Sequence, residues 1–217
     1  MSAVRSTPAA TAKRGGKSRG NDFYMTGAGI LNPIRAFATI ELDPCGACKP
    51  IFDDPAAEKP KVVRHEAVQS LVFAEREYRL DRGEDGLTLP WRVKMGNVVF
   101  VNPPYSQTRA WERKADEESK RLNEILMLVA ARTGTQAVQA SRTRLICFLK
   151  ERLRFLDPET LLPPIDANGK ATGAMFESMI MYYGMREAAF RAVFAPYGKV
   201  VRWSQQETAL TLHTATG

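Results

Sequence analysis

The sequence predicts an α/β protein built on a mostly parallel sheet. Three continuous apolar runs, Val98–Val101, Ile125–Ala130 and Leu145–Leu149, have the length and apolar character of strands that are buried on both faces. Segments with a helical pattern, 108–122 and 134–141, separate these runs. Because strands that alternate with helices usually pair in parallel, this order favours an α/β sheet. A chain of 217 residues that is 44% hydrophobic and 25% charged is large enough to form such a core without disulfides.

The N-terminal third contains one clear strand and two segments without a regular pattern. Residues 1–21 are rich in small, polar and basic side chains, and we predict that they form a disordered tail. The segment Ala36–Leu42 is predicted to be a strand that runs into a loop at Asp43-Pro44. Residues 49–80 are predicted to be an insertion, in which residues 68–80 form either a strand pair or a helix.

The C-terminal part of the chain completes the predicted sheet. Phe176–Tyr183 is a fourth strand candidate, Arg186–Phe194 has the pattern of a helix, and Lys199–Trp203 is predicted to be a closing strand. Three prolines and a glycine predict a long loop over residues 156–172. Residues 206–217 are predicted to be a flexible tail.

The positive charge of the chain is concentrated near its N-terminus. The whole chain carries a formal charge of +7, and residues 1–21 contribute +5 of it without a single acid. The basic residues concerned are Arg5, Lys13, Arg14, Lys17 and Arg19. Such a segment favours a polyanionic partner, although a solvated tail without a partner has the same composition.

Cysteine usage and hydropathy exclude several classes of protein. Three cysteines cannot pair completely, so the sequence does not predict a secreted disulfide scaffold, and a reducing cytoplasm is expected. No apolar run reaches the ~18 residues of a membrane span, and the basic N-terminus lacks the apolar segment of a secretory signal. Cys45 and Cys48 have the spacing of half a zinc site, but no second pair follows, so no metal site is predicted.

Two positions follow predicted strands, at the edge of the sheet where α/β proteins bind ligands. Asp43 follows the first strand, and Asn102-Pro103-Pro104-Tyr105 follows Val98–Val101. The Asn102 side-chain oxygen and the next backbone carbonyl could accept both hydrogens of an amino group conjugated to a ring. The nitrogen lone pair would then leave the ring and become nucleophilic, while Tyr105 stacks on the ring. The alternative is a strand ended by a proline turn, with Tyr105 packed on the surface.

The stretch Val101–Ser106 resembles the catalytic motif of amino-group DNA methyltransferases, which use S-adenosylmethionine. A wider series resembles the phage-type DNA N-6-adenine methyltransferase (Dam-like) family over roughly residues 22–185. It comprises Leu42–Cys45, Asp85-Gly86-Leu87, Trp91, Trp111, Lys114-Ala115 and Arg152–Phe155. The resemblance implies a Rossmann-like methyltransferase domain over residues 22–205, with a mostly parallel sheet and an antiparallel strand near the C-terminus.

The resemblance implies site-specific methylation of adenine N6 in double-stranded DNA, with S-adenosylmethionine as cofactor. Catalysis is assigned to Asn102, Pro103, Pro104 and Tyr105. Cytosine-N4 methylation uses the same amine chemistry and stays an alternative, as does an inactive DNA-binding protein on the same scaffold. The resemblance points to a cytoplasmic enzyme of a bacterial or phage-infected cell, with no membrane contact and no obligate protein partner.

Cofactor binding is assigned to four residues. Asp43 is expected to accept hydrogen bonds from a cofactor hydroxyl or amine, although it could also cap a turn before Pro44. Asp85 resembles an acid that binds the cofactor's adenine amine in related enzymes, and a tight Asp-Gly turn is the alternative. Tyr24 and Thr26 resemble the family's N-terminal cofactor segment.

DNA binding is assigned to a basic strand end. Lys150, Arg152 and Arg154 follow a strand that should border the DNA cleft, where alternating cations would suit phosphates. A solvated strand face fits the same pattern. The predicted insertion 49–80 and the loop 156–175 are the candidate segments for sequence recognition.

Overall fold

A central sheet organises the protein in a computed structural model that describes residues 25–54, 56–121, 123–157, 160–165, 168–169, 171, 174 and 176–203. The strands within these residues are β1 (Ile40–Asp43), β2 (Cys48–Phe52), β3 (Val62–Ala67), β4 (Arg76–Glu77), β5 (Val98–Val101), β6 (Ile125–Ala130), β7 (Leu145–Leu149), β8 (Ser178–Tyr183) and β9 (Gly198–Arg202). The α-helices are α1 (Ala28–Phe37), α2 (Thr108–Ser119), α3 (Gln136–Ala140) and α4 (Glu187–Phe194).

Strand direction confirms the predicted mixed α/β class and the mostly parallel sheet. Within the described residues, seven strands pair in the order β4-β1-β5-β6-β8-β7-β9. The strands β4, β1, β5 and β6 pair in parallel, and β8 runs antiparallel to both β6 and β7. Because β9 is antiparallel to β7, two strands near the C-terminus run against the others, where one was predicted.

The continuous apolar runs predicted as strands lie where both faces of the sheet are covered. Val98 and Phe100 of β5 pack into a core that contains α1 and α4 residues, whereas Val99 and Val101 pack into a second core that contains Trp111 of α2. Successive strand residues point to opposite faces, so a strand buried on both sides needs an apolar residue at every position. This is why the bounds of β5, β6 and β7 agree with the prediction.

Helix α1 corrects the first predicted element. The predicted strand over residues 36–42 is wrong at its start, because Ala36 and Phe37 form the last turn of α1, and β1 begins at Ile40. The buried residues of this helix, Ile30, Leu31, Pro33, Ile34 and Phe37, have helical spacing. Pro33 lies inside the helix, where proline is normally disfavoured, and its presence therefore argues against a helix in the sequence.

The predicted insertion contains a β-hairpin. Strands β2 and β3 pair antiparallel from Cys48–Ala67 to Phe52–Val62 and form a separate two-stranded sheet. The expectation of a strand pair or a helix over residues 68–80 is wrong. That segment contains only β4, whose two residues extend the main sheet beside β1, before a 3₁₀ turn at Leu80–Arg82. Phe73 has a positive φ of 52°, which neither a helix nor a strand tolerates.

The C-terminal elements lie close to their predicted bounds. Strand β8, helix α4 and strand β9 each begin or end within about two residues of the prediction. The described part of residues 156–172 holds no helix or strand, as a long loop should. The predicted tails, residues 1–21 and 206–217, lie outside the described residues. Among the residues that the structure covers, no helix is long and apolar enough to cross a membrane.

Candidate active site

The described residues among those predicted to be functional lie at one edge of the sheet. Strands β1, β5 and β7 run in the same direction, so their carboxyl ends meet at that edge. Asp43 is the last residue of β1, Asn102 follows β5, and Lys150 follows β7. Polar groups on strand ends and on the loops that follow them are the usual ligand-binding elements of such sheets.

A cavity of about 390 Å³ opens at this edge between the loops that follow β1 and β5. Five of the predicted site residues line this cavity: Thr26, Asp43, Asp85, Asn102 and Pro104. The hairpin β2–β3 forms another part of the wall, through Cys48, Lys49, Pro50, Phe52, Val62 and His65. The contact of the hairpin with this site could not be predicted from the sequence, because nothing in the pattern of residues 48–67 indicates where they fold back.

Asp43 is a buried carboxyl group in the cavity wall. It is only 4% exposed, and its Oδ1 accepts a hydrogen bond from the Cys45 backbone N–H at 2.9 Å. Burial raises the pKa of Asp43 to about 7, and the nearby Glu77 carboxylate acts in the same direction against the Cys45 hydrogen bond. The Asp43 carboxyl group therefore caps the turn, as the simpler interpretation expected. A cationic ligand in the cavity would lower its pKa again and favour the ionised form.

Asp85 begins a tight turn that packs directly on the loop after β1. Its Oδ1 accepts the Leu87 N–H at 2.9 Å, and its carbonyl accepts the Leu89 N–H at 2.9 Å. A Cβ at Gly86 would lie 2.0 Å from the Pro44 carbonyl oxygen, so only glycine fits there. The turn interpretation of Asp85 is therefore correct, and the turn also brings this acid into the wall of the cavity.

Two tryptophans stabilise this turn. The Trp91 indole N–H donates to the Gly86 carbonyl at 2.8 Å, and Trp91 stacks on Trp111 with ring centroids 6.0 Å apart. Both indoles are almost fully buried. The hydrogen bond from Trp91 and the stacked tryptophan pair therefore hold the Asp85 turn in place.

Asn102 is hydrogen-bonded to a residue far away in sequence. Its Nδ2 donates to Thr26 Oγ1 at 2.7 Å, and Thr26 is only 3% exposed. Thr26 precedes α1, so the N-terminal segment passes close to the end of β5. The structure places Thr26 in the cavity wall and in direct contact with Asn102. The other predicted residue of this segment, Tyr24, lies outside the described residues.

Pro103 and Tyr105 lie beside the cavity and are not part of its lining. The Tyr105 ring forms T-shaped contacts with Phe155 and Phe176, with centroids 6.1 and 6.4 Å apart. Burial raises the pKa of Tyr105 to about 12, so its hydroxyl is neutral at physiological pH. Next to this cluster, the Arg132 guanidinium lies 4.3 Å from the Phe176 ring centroid. These neighbours of Tyr105 could not be predicted from the sequence, because the loops that carry them are distant along the chain.

The predicted DNA-binding residues line a second cavity of about 870 Å³ at the same edge of the sheet. Lys150, Arg152 and Arg154 all contribute to its wall, together with the start of α1. Arg152 forms an ion pair with Glu177 at 2.8 Å and lowers the pKa of that carboxyl group. The three cations are therefore neighbours in space, but one of them already has an anionic partner.

The Cys45–Cys48 pair lies in the wall of the first cavity, as does His65. Burial is the main reason that the pKa values of both thiols are raised, so they are neutral at physiological pH. Among the described residues, no three His, Cys, Asp or Glu side chains are grouped to hold a metal ion.

Comparison with known proteins identifies the family. The profile of the DNA N-6-adenine-methyltransferase (Dam) family matches residues 75–189, which is more than half of the chain. The match includes Asp85, Asn102 and the basic residues that follow β7. Searches of curated proteins and of solved structures return no significant match. The chain therefore belongs to the DNA N-6-adenine-methyltransferase (Dam) family, whose members are enzymes that methylate adenine N6 in DNA.

Proposed function

We propose that this methyltransferase has a Rossmann-like fold and transfers the methyl group of S-adenosylmethionine to adenine N6 at specific sites in double-stranded DNA. The observation that carries the proposal is that Asp43, Asp85 and Asn102 share the wall of one cavity. Two acids for the cofactor and one amide for the substrate amine are then adjacent, as a direct transfer between two bound molecules requires.

The first cavity suits the cofactor in size and charge. A volume of about 390 Å³ lies within the range of small-molecule sites, and Asp43 and Asp85 supply acids for a ligand with a cationic ammonium and sulfonium. When bound, S-adenosylmethionine supplies an electrophilic methyl group. Asp43 would accept a hydrogen bond from a cofactor amine or hydroxyl, and Asp85 one from its adenine amine. Tyr24 and Thr26 complete the proposed cofactor segment.

Asn102 and Pro103 would activate the target amine. The Asn102 Oδ1 and the Pro103 carbonyl oxygen accept one amine hydrogen each, and this draws the nitrogen lone pair out of the ring. Because Pro103 and Pro104 restrict the backbone, the two acceptors stay in place between turnovers. The nitrogen would attack the methyl carbon as the methyl–sulfur bond breaks, so that a neutral thioether leaves and the nitrogen becomes cationic. That cation would release one proton to water readily, so no strong base is required, and the rate gain comes from alignment and from the exclusion of water during the transfer.

The target adenine would leave the base stack to reach this site. Tyr105 is the proposed stacking platform, and Pro104 shapes the pocket beside it. The contacts of Tyr105 with Phe155 and Phe176 support this role, because an aromatic ring that already packs against two neighbours loses little freedom when a base stacks on it.

Lys150, Arg152 and Arg154 are proposed to bind DNA phosphates, because they lie at the sheet edge that carries the amine site. Replacing Lys150 and Arg154 by alanine should lower the salt dependence of DNA binding by about one unit of slope for each lost phosphate contact. Arg121→Ala is the matched control, since Arg121 lies before β6 at the opposite edge. Equal slopes in the double variant and the control would remove these residues from the interface.

We propose that the hairpin β2–β3 encloses the cofactor. This proposal is supported by the hairpin residues in the cavity wall. Residues 49–80 and 156–175 stay the candidate segments for recognition of the DNA sequence. The methylation of DNA supports the cytoplasm of a bacterial or phage-infected cell as the site of action.

Calorimetry with S-adenosylmethionine tests the division of labour between Asp43 and Asn102. The wild-type protein should bind the cofactor, Asp43→Asn should weaken binding about tenfold or more, and Asn102→Ala should leave it within about threefold. Absence of heat in the wild type would indicate the rival function, an inactive scaffold. Equal losses in both variants would show that the two sites are not separate.

A further inference from the structure

Thr26 is fixed in place on both sides of the chain. The preceding residue, Met25, forms a two-hydrogen-bond bridge with Leu156, in which each N–H donates to the other carbonyl, at 2.8 and 2.9 Å. The following residue, Gly27, accepts the Ile30 N–H at the start of α1. The Thr26 hydroxyl is therefore a buried group with little freedom to move, 2.7 Å from Asn102 Nδ2.

This contact affects which end of the Asn102 amide faces the substrate amine. The oxygen and nitrogen ends of an amide have nearly the same shape, but only the oxygen accepts. If the Asn102 amide rotated by 180°, its NH₂ group would face the substrate amine, and two donors would oppose each other. In the structure the Thr26 hydroxyl oxygen binds the NH₂ end, and this hydrogen bond stabilises the orientation in which Oδ1 points away from Thr26. A rotated amide would keep a bond to Thr26 only if the hydroxyl turned to donate to Oδ1.

We propose that Thr26 is a positioning residue that orients the Asn102 amide, so that Oδ1 faces the substrate amine. Thr26 Oγ1 accepts from Nδ2, and the rigid segment between the Leu156 bridge and α1 carries this acceptor. The inference rests on the proposed role of Asn102. It gives Thr26 a function in the reaction step, in addition to the proposed cofactor contact.

Thr26→Val tests the proposal, because valine keeps the shape of threonine and removes the acceptor. We expect kcat to fall about ten- to a hundredfold, the effect of a buried N–H that has lost its partner at the reacting group. The loss of kcat should persist at saturating cofactor and DNA, so that it is separate from any change in the cofactor Kd that the proposed cofactor contact of Thr26 causes. Thr26→Ser keeps the hydroxyl and should restore kcat to within about threefold of the wild type. Thr26→Ala replaces valine if that variant does not fold.

A double-mutant comparison separates action through Asn102 from an independent effect. Single-turnover transfer of a labelled methyl group is measured for Asn102→Ala and for Asn102→Ala with Thr26→Val. If Thr26 acts only through the amide, the second change should slow transfer less than about threefold. A full additional loss would overturn the proposal, as would a Thr26→Val enzyme with normal kcat.

Two further outcomes are decisive. A Thr26→Val enzyme with weaker cofactor binding and normal kcat at saturation would assign Thr26 to the cofactor and overturn the positioning role. Full activity in Asn102→Ala would instead contradict the proposed amine site itself. The failure of the inference and the failure of the proposed function therefore give different results.

Discussion

Gly86→Ala should disrupt the contact between the two loops that carry Asp43 and Asp85. The new Cβ would lie 2.0 Å from the Pro44 carbonyl oxygen and 2.8 Å from Trp111 Cη2, whereas ordinary contact begins at 3.4 Å. Relief of the closer clash requires a movement of about 1.4 Å between the loops. Neither neighbour yields easily, since one is backbone and the other belongs to the buried tryptophan pair.

The expected cost is that of overpacking a well-packed core, about 1–3 kcal/mol. For a domain of this size it should lower the Tm by roughly 2–12 °C. A shift of about 1 Å at a binding group also weakens function strongly, so we expect cofactor binding to weaken about tenfold or more. Thermal unfolding and calorimetry with S-adenosylmethionine measure the two effects.

Gly134→Ala is the matched control. A Cβ at Gly134 meets nothing within 4 Å, and its backbone does not have a positive φ. This variant should keep the wild-type Tm and cofactor affinity. If Gly86→Ala also kept both, the close packing of the Asp85 turn on the Asp43 loop would be wrong.

Three further predictions concern buried acids, Tyr105 and the hairpin. Burial raises the pKa values of Asp43 and Glu112 to about 7, so each acid destabilises the fold increasingly as pH rises from about 4 to about 7. Asp43→Asn and Glu112→Gln should therefore raise the Tm more at pH 8 than at pH 5, and only Asp43→Asn should weaken cofactor binding; a Tm gain independent of pH would contradict this. Tyr105→Phe should keep most activity, whereas Tyr105→Ala should lower the DNA-dependent rate about ten- to a hundredfold and cost ~1–3 kcal/mol of stability. A stable and active alanine variant would exclude Tyr105 from both roles. Val62→Ser should weaken cofactor binding about three- to tenfold because Val62 lines the cavity, and Val63→Ser, which is the control, should not. Equal affinities would show that the hairpin does not enclose the cofactor.

Much of the sheet could be predicted because burial on both faces leaves a strong signal. Strand β6 is buried at all six positions, and its sequence is accordingly apolar throughout. The hairpin strand β3 has the opposite character, because five of its six residues are exposed. An exposed strand without a covered face has no alternation to detect, and so residues 49–80 could not be assigned from the sequence.

Positions at strand ends could also be predicted, but contacts between distant segments could not. Asp43 and Asn102 could be predicted because Asp43 ends one recognisable strand, β1, and Asn102 follows another, β5. The hydrogen bond between Thr26 and Asn102 joins residues 76 positions apart. It depends on the Met25–Leu156 bridge, which brings an N-terminal segment to a loop that follows β7. No local pattern contains that information.

The most direct test of the account is mass spectrometry of nucleosides from DNA incubated with the purified protein and S-adenosylmethionine. The account predicts N6-methyladenine with the wild-type protein, and a yield lower by roughly two orders of magnitude with Asn102→Ala, which still binds the cofactor. N4-methylcytosine, no methylated base, or an undiminished yield of N6-methyladenine from Asn102→Ala would contradict it.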